Sequence, residues 1–303
     1  WVGPDVRLGE ESPRSGRCEM SRRKQLFLLE EDWVGPDVRF LLSIVLALLA
    51  VGVTVFSKYA RSKTPIRGGG CGTSKETTKQ FLHSWGVPLS HITRAMREIE
   101  RKTFHLCGLL VPLCHLLLLK NGYSNAFCVQ LCWAITVAGW CADLARLKVD
   151  FVRRNWPFKS ILREHEATQL TGGCYFSLGC TLSISLSPPS VAMASILFLV
   201  LGDMSAAIIG VSFGGEVATV KLGRKGKKSL EGSLAMLAVC FVVGCLTFLS
   251  VPLREYAVAI AAIVATLTEL HEPFGLNDNL TIPVFSALAL QFGLLRVRCP
   301  PCR

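Results

Sequence analysis

A carboxylate stands inside one of the most apolar stretches of this 303-residue chain, and it is the residue best suited to chemistry. Asp203 lies in ILFLVLGDMSAAIIGVSFGG, where it is the only charged residue. A carboxylate in a membrane-spanning segment is costly unless it is paired or binds a metal, so it predicts a functional site. A structural ion pair between helices is the alternative interpretation. Gly202, Ala206 and Gly210 recur at four-residue steps and predict a helix face that another helix or a ligand approaches closely.

Basic residues cluster immediately after this segment, in GGEVATVKLGRKGKKSLEGSLAM. Lys228 precedes Ser229, which is a predicted N-cap for the next helix, and Glu231 falls in the first turn of that helix. A helix N-terminus with free N–H groups and a nearby lysine favours phosphate binding. Contact with anionic lipid headgroups is the alternative. The pattern GxxxxGK[ST] fits at no register, so the run is not a P-loop.

A second cationic cluster, ERKTFH at 100–105, carries Arg101 and Lys102 at the boundary of a predicted membrane helix. Snorkelling of long basic side chains to the interface is the structural alternative. Further polar residues fall at similar boundaries: Asp143 and Arg146 at the end of one predicted span, Glu166 in the linker after it, and Asn277, Asp278 and Asn279 before the last span. Carboxylates, amides and cations at one membrane face suit the binding of a nucleotide with Mg²⁺.

Hydropathy predicts the elements that position these residues. Hydrophobic residues make up 50% of the chain and charged residues 18%, against about 25% charge in an average soluble protein. The apolar residues form runs near the roughly 20 residues that a transmembrane helix needs. We therefore predict an all-α, polytopic transmembrane helical bundle of about seven or eight spans, at 40–57, 104–120, 125–146, 172–187, 190–213, 231–251, 254–270 and 279–297.

The charge of the linkers predicts their orientation. The long linkers at 58–103, 147–171 and 214–230 are rich in Lys and Arg, and the short linkers between them are not. The positive-inside rule places the long linkers in the cytosol, and the 271–278 linker falls on the same side by parity. These linkers explain the net charge of +11. The aromatic-basic pattern typical of RNA binding is absent, so no nucleic-acid partner is expected.

The chain divides into five expected regions. The tail contains WVGPDVR twice, at 1–7 and 33–39, and we interpret it as disordered or artefactual, with Met20 as a candidate start. With eight spans the tail falls outside the cytosol, and its basic residues contradict the positive-inside rule. Either the run at 40–57 does not span the membrane or the tail is not native. Cys299 and Cys302 form a lone CxxC, which is weak evidence for zinc. The regions are the tail at 1–39, an anchor helix at 40–57, a flexible cytosolic linker at 58–89, a membrane-embedded catalytic domain at 90–297 and a short tail at 298–303.

The order of the motifs resembles that of the CTP-dependent lipid kinases, a family that comprises yeast-type CTP-dependent diacylglycerol kinase and the related phytol and dolichol kinases. The resemblance covers about residues 90–295. It implies transfer of the γ-phosphate of CTP to a lipid alcohol with Mg²⁺, or another divalent cation such as Ca²⁺. It also implies an endoplasmic reticulum or nuclear envelope membrane, with the active site facing the cytosol. The matching segments are ERKTFH at 100–105, DLAR at 143–146 with Asn155, REHE at 163–166, LTGG at 170–173, LGDMSAAIIG at 201–210, KSLEGS at 228–233 and NDNLTIP at 277–283.

The resemblance also implies roles for individual residues. Arg101, Lys102 and Asp203 are the implied catalytic residues, and Asp203 and Asp278 are the implied metal ligands. Asn277 departs from the family pattern, because many relatives carry Asp there. The residues implied in binding the nucleotide are Gly210, Lys228, Ser229, Glu231, Asn277, Asp278, Asn279, Asp143, Arg146 and Glu166.

Several functions remain open at this point. Diacylglycerol is the expected acceptor, because the modest length and the NDNLTIP segment favour it over dolichol, and phytol or another isoprenoid alcohol is the alternative. The sequence does not decide between CTP and ATP. A phosphatidate cytidylyltransferase ranks lower, since its Gly-His-Gly-Gly signature is absent. A small-molecule transporter is the non-enzyme alternative, but it predicts polar groups at the midplane and two similar halves, which we do not find.

Overall fold

The computed structural model describes residues 106–156, 162, 164–213, 221–223 and 228–298. Within these ranges the chain is almost entirely helical, as predicted. The catalytic residues expected at Arg101 and Lys102 lie outside the described residues. So do the tail at 1–39, the anchor at 40–57, the linker at 58–89, and Cys299 and Cys302.

The described helices follow one another with short connections. A 3₁₀ turn at Cys107–Leu109 leads into α1, and further 3₁₀ turns stand at Glu164–Ala167 and Pro273–Gly275. Between α6 and α7, strand β1 (Lys221–Leu222) pairs antiparallel with β2 (Lys228–Ser229). The helices are α1 (Leu110–Lys120), α2 (Asn125–Lys148), α3 (Asp150–Arg154), α4 (Gly172–Leu186), α5 (Pro189–Leu197), α6 (Asp203–Phe213), α7 (Leu230–Thr247), α8 (Arg254–His271) and α9 (Asp278–Arg298).

The predicted spans from 104 onward coincide with these helices to within a few residues. Four segments of the described chain are long and apolar enough to cross a membrane: Asn125–Lys148, Pro189–Gly210, Leu230–Thr247 and Asp278–Arg296. Cys107–Lys120 and Gly172–Leu186 are shorter apolar helices. The helical class is therefore confirmed, and the count of seven or eight spans stays a prediction.

Local sequence sets where several helices begin. Ser124 and Ser229 are N-caps: their hydroxyl oxygens accept hydrogen bonds, each of 3.2 Å, from the backbone N–H groups of Phe127 and Gly232. The cap predicted at Ser229 is thereby confirmed. Pro189 occupies the first position of α5, where a missing N–H costs nothing because the helix has no partner for it.

The segment from α5 to α6 is one continuous helix at the centre of the bundle. A π-helical turn at Phe198–Gly202 joins the two, and Asp203 follows it as the first residue of α6. The core around it includes Phe198, Met236 and Leu290 from three different helices, each fully buried. In contrast, α2 exposes the apolar side chains Leu131, Trp133, Ile135 and Val137. An exposed apolar surface of this kind is what a lipid-facing helix presents.

The stripe of small residues Gly202, Ala206 and Gly210 packs against α7. This is one of the two predictions for the stripe, namely that another helix approaches it closely. A Cβ added to Gly202 would lie 2.7 Å from the Cys240 sulfur, and one added to Gly210 would lie 3.0 Å from the Ser229 hydroxyl oxygen. On the α7 side, a Cβ added to Gly232 would lie 2.6 Å from the carbonyl oxygen of Ala206. Glycine at these positions lets the two helices approach closely and fixes the spacing between Asp203 and the start of α7.

Candidate active site

Three of the described helices, α4, α7 and α9, begin at the same end of the bundle. The Asn279 side-chain amide donates to the Gly172 carbonyl oxygen at 3.5 Å, which joins the starts of α9 and α4. Lys228, just before α7, lies close enough to Asp278 in α9 for their charges to interact. Helix N-termini carry partial positive charge and unpaired N–H groups, so their convergence favours an anionic ligand.

Lys228 forms an ion pair with Glu269 across the α7–α8 boundary. Its ammonium group donates to the Glu269 carboxylate and, at 3.0 Å, to the backbone carbonyl oxygen of the same residue. The Glu269 side chain is 5% exposed, whereas that of Lys228 is 26% exposed. Glu269 therefore holds the lysine from the protein side, and part of the cation still faces outward.

Two further carboxylates act on the same lysine. Burial alone would lower the pKa of Lys228, but the negative charges of Glu269, Asp278 and Asp203 raise it above its ordinary value. The amine is consequently protonated at neutral pH. Asp203 is buried, at 6% exposure. The cluster thus contains three carboxylates around one lysine, and it could accept an additional cation.

The donor set fits a metal ion that arrives with a nucleotide rather than one held by the protein alone. Within the described ranges, no group of three or more His, Cys, Asp or Glu side chains is placed to hold a metal. Mg²⁺ at nucleotide sites is bound through one or two carboxylates, and phosphate and water complete its shell. Asp203 and Asp278 could supply those carboxylates, and their role as ligands stays a prediction.

Asp143 and Arg146 form a second ion pair nearby, at the end of α2. One Asp143 oxygen accepts from the Arg146 Nε at 2.6 Å, and the other accepts from the Thr171 backbone N–H at 2.8 Å. The remaining guanidinium nitrogens of Arg146 donate to the carbonyl oxygens of Glu166 and Gln169, at 3.0 and 2.8 Å. The pair therefore fixes the loop that precedes α4.

Glu166 completes this network from within the loop. Its Oε1 accepts from the Gly172 backbone N–H at 2.8 Å. Two carboxylates, Asp143 and Glu166, thus bind N–H groups at the start of α4. The structure brings together three residues that were expected to bind nucleotide, and it joins their polar atoms to the protein backbone. Direct contact with nucleotide stays a prediction for all three.

The start of α9 shows the effect of having Asn277 where many relatives carry Asp. The backbone N–H of Asn279 donates to Asn277 Oδ1 at 3.0 Å and to Asp278 Oδ1 at 2.9 Å. An amide oxygen accepts such a bond as a carboxylate oxygen would, so Asn277 still caps the helix. The difference from Asp is one negative charge, which leaves Asp278 as the acidic residue of this cap.

Glu231 lies in the first turn of α7, two residues after the N-cap Ser229. Its Oε2 atom is buried and accepts no hydrogen bond from the part of the chain that the structure describes. An unpaired buried carboxylate oxygen costs free energy. This oxygen is therefore suited to receive a donor from a ligand.

The predicted site residues separate into two neighbouring groups. Lys228, Asp203 and Asp278 form the charged cluster, with Ser229, Glu231 and Gly210 at its α6–α7 side. The group around the start of α4 contains Asp143, Arg146, Glu166 and Asn279. Glu269 was missed in the sequence, although the signal was present: it is a carboxylate inside a predicted span, like Asp203, and the same rule applies to it.

Comparison with known proteins gives this geometry its chemical context. No family model and no solved structure matches the chain. CTP-dependent diacylglycerol kinase 1 of Saccharomyces cerevisiae is 28% identical over 225 residues, covering 64% of this chain and 72% of that protein. The protein of the same name in Schizosaccharomyces pombe is 27% identical over 215 residues, covering 64% and 92%. Dolichol kinase EVAN of Arabidopsis thaliana is 29% identical over 170 residues, covering 51% and 28%.

These relatives agree with the order of motifs in the sequence and with the helical architecture. The names of these relatives share two properties, a kinase activity and a lipid acceptor, and those of the diacylglycerol kinases add CTP. The resemblance predicted from the motifs is thereby confirmed: the chain is similar to CTP-dependent lipid kinases, which are phosphotransferases.

Proposed function

We propose that the protein transfers the γ-phosphate of CTP to the hydroxyl of diacylglycerol, giving phosphatidate and CDP, at the cytosolic face of its membrane. The observation that carries this proposal is the cluster of Lys228, Glu269, Asp203 and Asp278 at the meeting of three helix N-termini. Phosphoryl transfer depends mainly on positioning and on neutralising phosphate charge, and this cluster provides groups for both.

The residues of the cluster have distinct tasks in this reaction. Lys228 and the N-terminus of α7 bind the phosphate oxygens, and Glu269 keeps the lysine in place. Asp203 accepts a hydrogen bond from the lipid hydroxyl and orients its oxygen towards the γ-phosphorus. A divalent cation bound through Asp203 or Asp278 would neutralise charge on the β- and γ-phosphates. The hydroxyl oxygen then bonds to the γ-phosphorus, the bond to the β-phosphate oxygen breaks, and the hydroxyl proton is released.

The membrane face follows from linker charge. The linkers at 147–171, 214–230 and 271–278 precede α4, α7 and α9, and the first two are rich in Lys and Arg. The positive-inside rule places such linkers in the cytosol, where CTP is available. The proposed location is an endoplasmic reticulum or nuclear envelope membrane.

An isoprenoid alcohol is the second candidate acceptor. The similarity to a dolichol kinase favours it, because that relative is 29% identical over 170 residues. The phosphate-binding cluster would act in the same way on either alcohol. The two candidates differ in the rest of the acceptor, because diacylglycerol has two ester groups with acyl chains whereas an isoprenoid alcohol has a single branched hydrocarbon chain.

The test is a kinase assay on the purified protein in mixed micelles. The protein is incubated with Mg²⁺, γ-labelled CTP or ATP, and one of diacylglycerol, phytol, farnesol or dolichol. We expect labelled phosphatidate with CTP and diacylglycerol, and no product after chelation by EDTA. No labelled lipid with any combination would refute the kinase function.

A matched reaction distinguishes a kinase from a cytidylyltransferase. The protein is incubated with α-labelled CTP and unlabelled phosphatidate, and the lipid fraction is analysed. A kinase leaves this lipid unlabelled, because the α-phosphate stays in the cytidine nucleotide. Labelled CDP-diacylglycerol would instead identify a cytidylyltransferase.

A further inference from the structure

An apolar groove runs between α7 and α8 on the outside of the bundle. Its volume is about 420 Å³, and no polar side chain lines it. Ligand sites typically have volumes of roughly 300–1,000 Å³, so the groove is of ligand size. The lining residues are Leu234, Leu237, Ala238, Phe241, Ala259 and Ile263.

The groove begins directly below the charged cluster, because both of its walls carry that cluster at one end. Lys228 immediately precedes α7, and its partner Glu269 lies near the end of α8. Leu234 is four residues beyond the start of α7, or roughly 6 Å along the helix axis. Ile263 is six residues before Glu269, or roughly 9 Å. The apolar lining therefore continues from the site towards the interior of the membrane.

The groove face of α7 ends in an acidic residue on the side of the cluster. Residues three and four apart share a helix face, so Glu231, Leu234, Ala238 and Phe241 form one row along α7. The buried Oε2 of Glu231 at the head of this row accepts no hydrogen bond from the described residues. The row thus has a hydrogen-bond acceptor at the end near the charged cluster and apolar side chains along the rest of its length.

This combination matches an amphipathic molecule with a hydroxyl head and a long apolar chain. We infer that the groove binds a hydrocarbon chain of the lipid-alcohol substrate, and that Glu231 accepts the hydrogen bond of its hydroxyl as the lipid enters, before that bond passes to Asp203. This inference rests on the proposed kinase function. It explains how a membrane-bound alcohol reaches the cluster without leaving the bilayer: the chain stays in the groove while the hydroxyl comes to lie beside Lys228 and Asp203.

Filling the groove tests the inference. Ala238→Phe places a ring in the groove at a position that is exposed, so it should not disturb the core. Ala138→Phe is the matched control, because Ala138 is an exposed alanine of α2, outside the groove. In the micelle assay we expect Ala238→Phe to raise the KM for dioleoylglycerol roughly tenfold, equivalent to about 1.4 kcal/mol. The KM for CTP should not change, and Ala138→Phe should behave as the wild type.

A binding measurement independent of turnover accompanies the assay. Dioleoylglycerol analogues that carry a diazirine on one acyl chain are photolysed with the protein, and the labelled peptides are identified. We expect labelling of α7 and α8 around Phe241 and Ile263, lost in Ala238→Phe and retained in Ala138→Phe. A phosphatidylcholine with the same diazirine reports ordinary contact with membrane lipid.

The outcomes separate the inference from the function on which it rests. An unchanged KM for dioleoylglycerol in Ala238→Phe, with normal product, would overturn the groove and leave the kinase intact. Equal labelling of α7 and α8 by the phosphatidylcholine probe would also overturn it, since the groove would then hold any membrane lipid. Absence of phosphorylated lipid from the wild-type protein would refute the proposed function instead.

Discussion

Two ion pairs lie at the site end of the bundle, and their surroundings differ. The side chains of Asp143 and Arg146 are each 3% exposed, and their remaining hydrogen bonds go to the backbone before α4. Lys228 is 26% exposed, and besides Glu269 it interacts with the charges of Asp203 and Asp278. The first pair is closed within the protein, whereas the second is open to a ligand and has negative charge in excess.

The two pairs therefore use charge in different ways, although both include residues of the motifs shared with the lipid kinases. A pair whose polar atoms have protein partners holds a loop in place. A pair that is partly exposed, and that lies among additional carboxylates, can change partners when phosphate or a cation arrives. We therefore expect substitutions in the Asp143–Arg146 pair to act mainly on stability and substitutions in the Lys228 cluster to act mainly on turnover.

The largest effect is expected for Arg146→Met. This change leaves the Asp143 carboxylate buried without its cation, which typically costs about 3–5 kcal/mol of folding stability. The measurement is thermal unfolding of the purified protein in detergent. The double variant Asp143→Asn with Arg146→Met should recover much of the stability, because no unpaired charge remains. An Arg146→Met variant of normal stability would show that the pair is not structural.

Asp203→Asn should act in the opposite way, on turnover rather than on folding. The substitution keeps the size of the side chain and removes its charge. We expect a fall in kcat of about 10²–10³, the usual magnitude for loss of one electrostatic group in an active site. Insertion and monodispersity, followed by size-exclusion chromatography, should match the wild type. Near-normal activity would reduce Asp203 to a structural role.

Lys228→Gln should lower kcat/KM for CTP by about tenfold to a hundredfold, because one phosphate-binding charge is lost. Lys228→Arg keeps the charge and should retain more activity than the glutamine variant. If kcat/KM for CTP stayed at its wild-type value in Lys228→Gln, the lysine would have no part in binding the phosphates.

The pH dependence of this lysine has a definite sign. Neighbouring carboxylates raise the pKa of Lys228, so the lysine stays charged and the ion pair stays intact at moderately alkaline pH. The charge, and the stabilisation that the ion pair gives, are lost only as pH rises past this raised pKa. Glu269→Gln removes one cause of the shift and should move the alkaline limb of the pH–rate profile to lower pH. An unmoved limb would mean that Lys228 does not control it.

The smallest effects are expected where α6 meets α7. A Cβ at Gly232 would approach the Ala206 carbonyl oxygen to 2.6 Å, whereas one at Gly210 would meet the Ser229 hydroxyl oxygen at 3.0 Å. Gly232→Ala must therefore separate the helices and should cost about 1–3 kcal/mol. Gly210→Ala should cost less, as measured by thermal unfolding. The reverse order would show that the helix contact is not limited by backbone approach.

Hydropathy was sufficient to predict the helices from 104 onward, because long apolar runs leave few alternative structures. It also identified Asp203, since a carboxylate in such a run is conspicuous. The pairing of Lys228 with Glu269 could not be predicted, because the two residues are 41 positions apart and meet only through the packing of α7 on α8. For the same reason the sequence grouped Asp143, Arg146 and Glu166 with the nucleotide site, without showing that their polar atoms bind the loop before α4.

The π-helical turn at Phe198–Gly202 determines where the central helix can change in length. A π turn contains one residue more than an α turn, so deleting a single residue there would restore ordinary helical winding without breaking the helix. Because the number of turns stays the same, the core residues Val191 to Leu197 and Asp203 would keep their relative orientation. A deletion in α5 or α6 outside the turn would instead rotate the two parts of the helix by about 100° relative to each other. Functional variants should therefore tolerate a single-residue deletion within the turn better than one elsewhere in this helix.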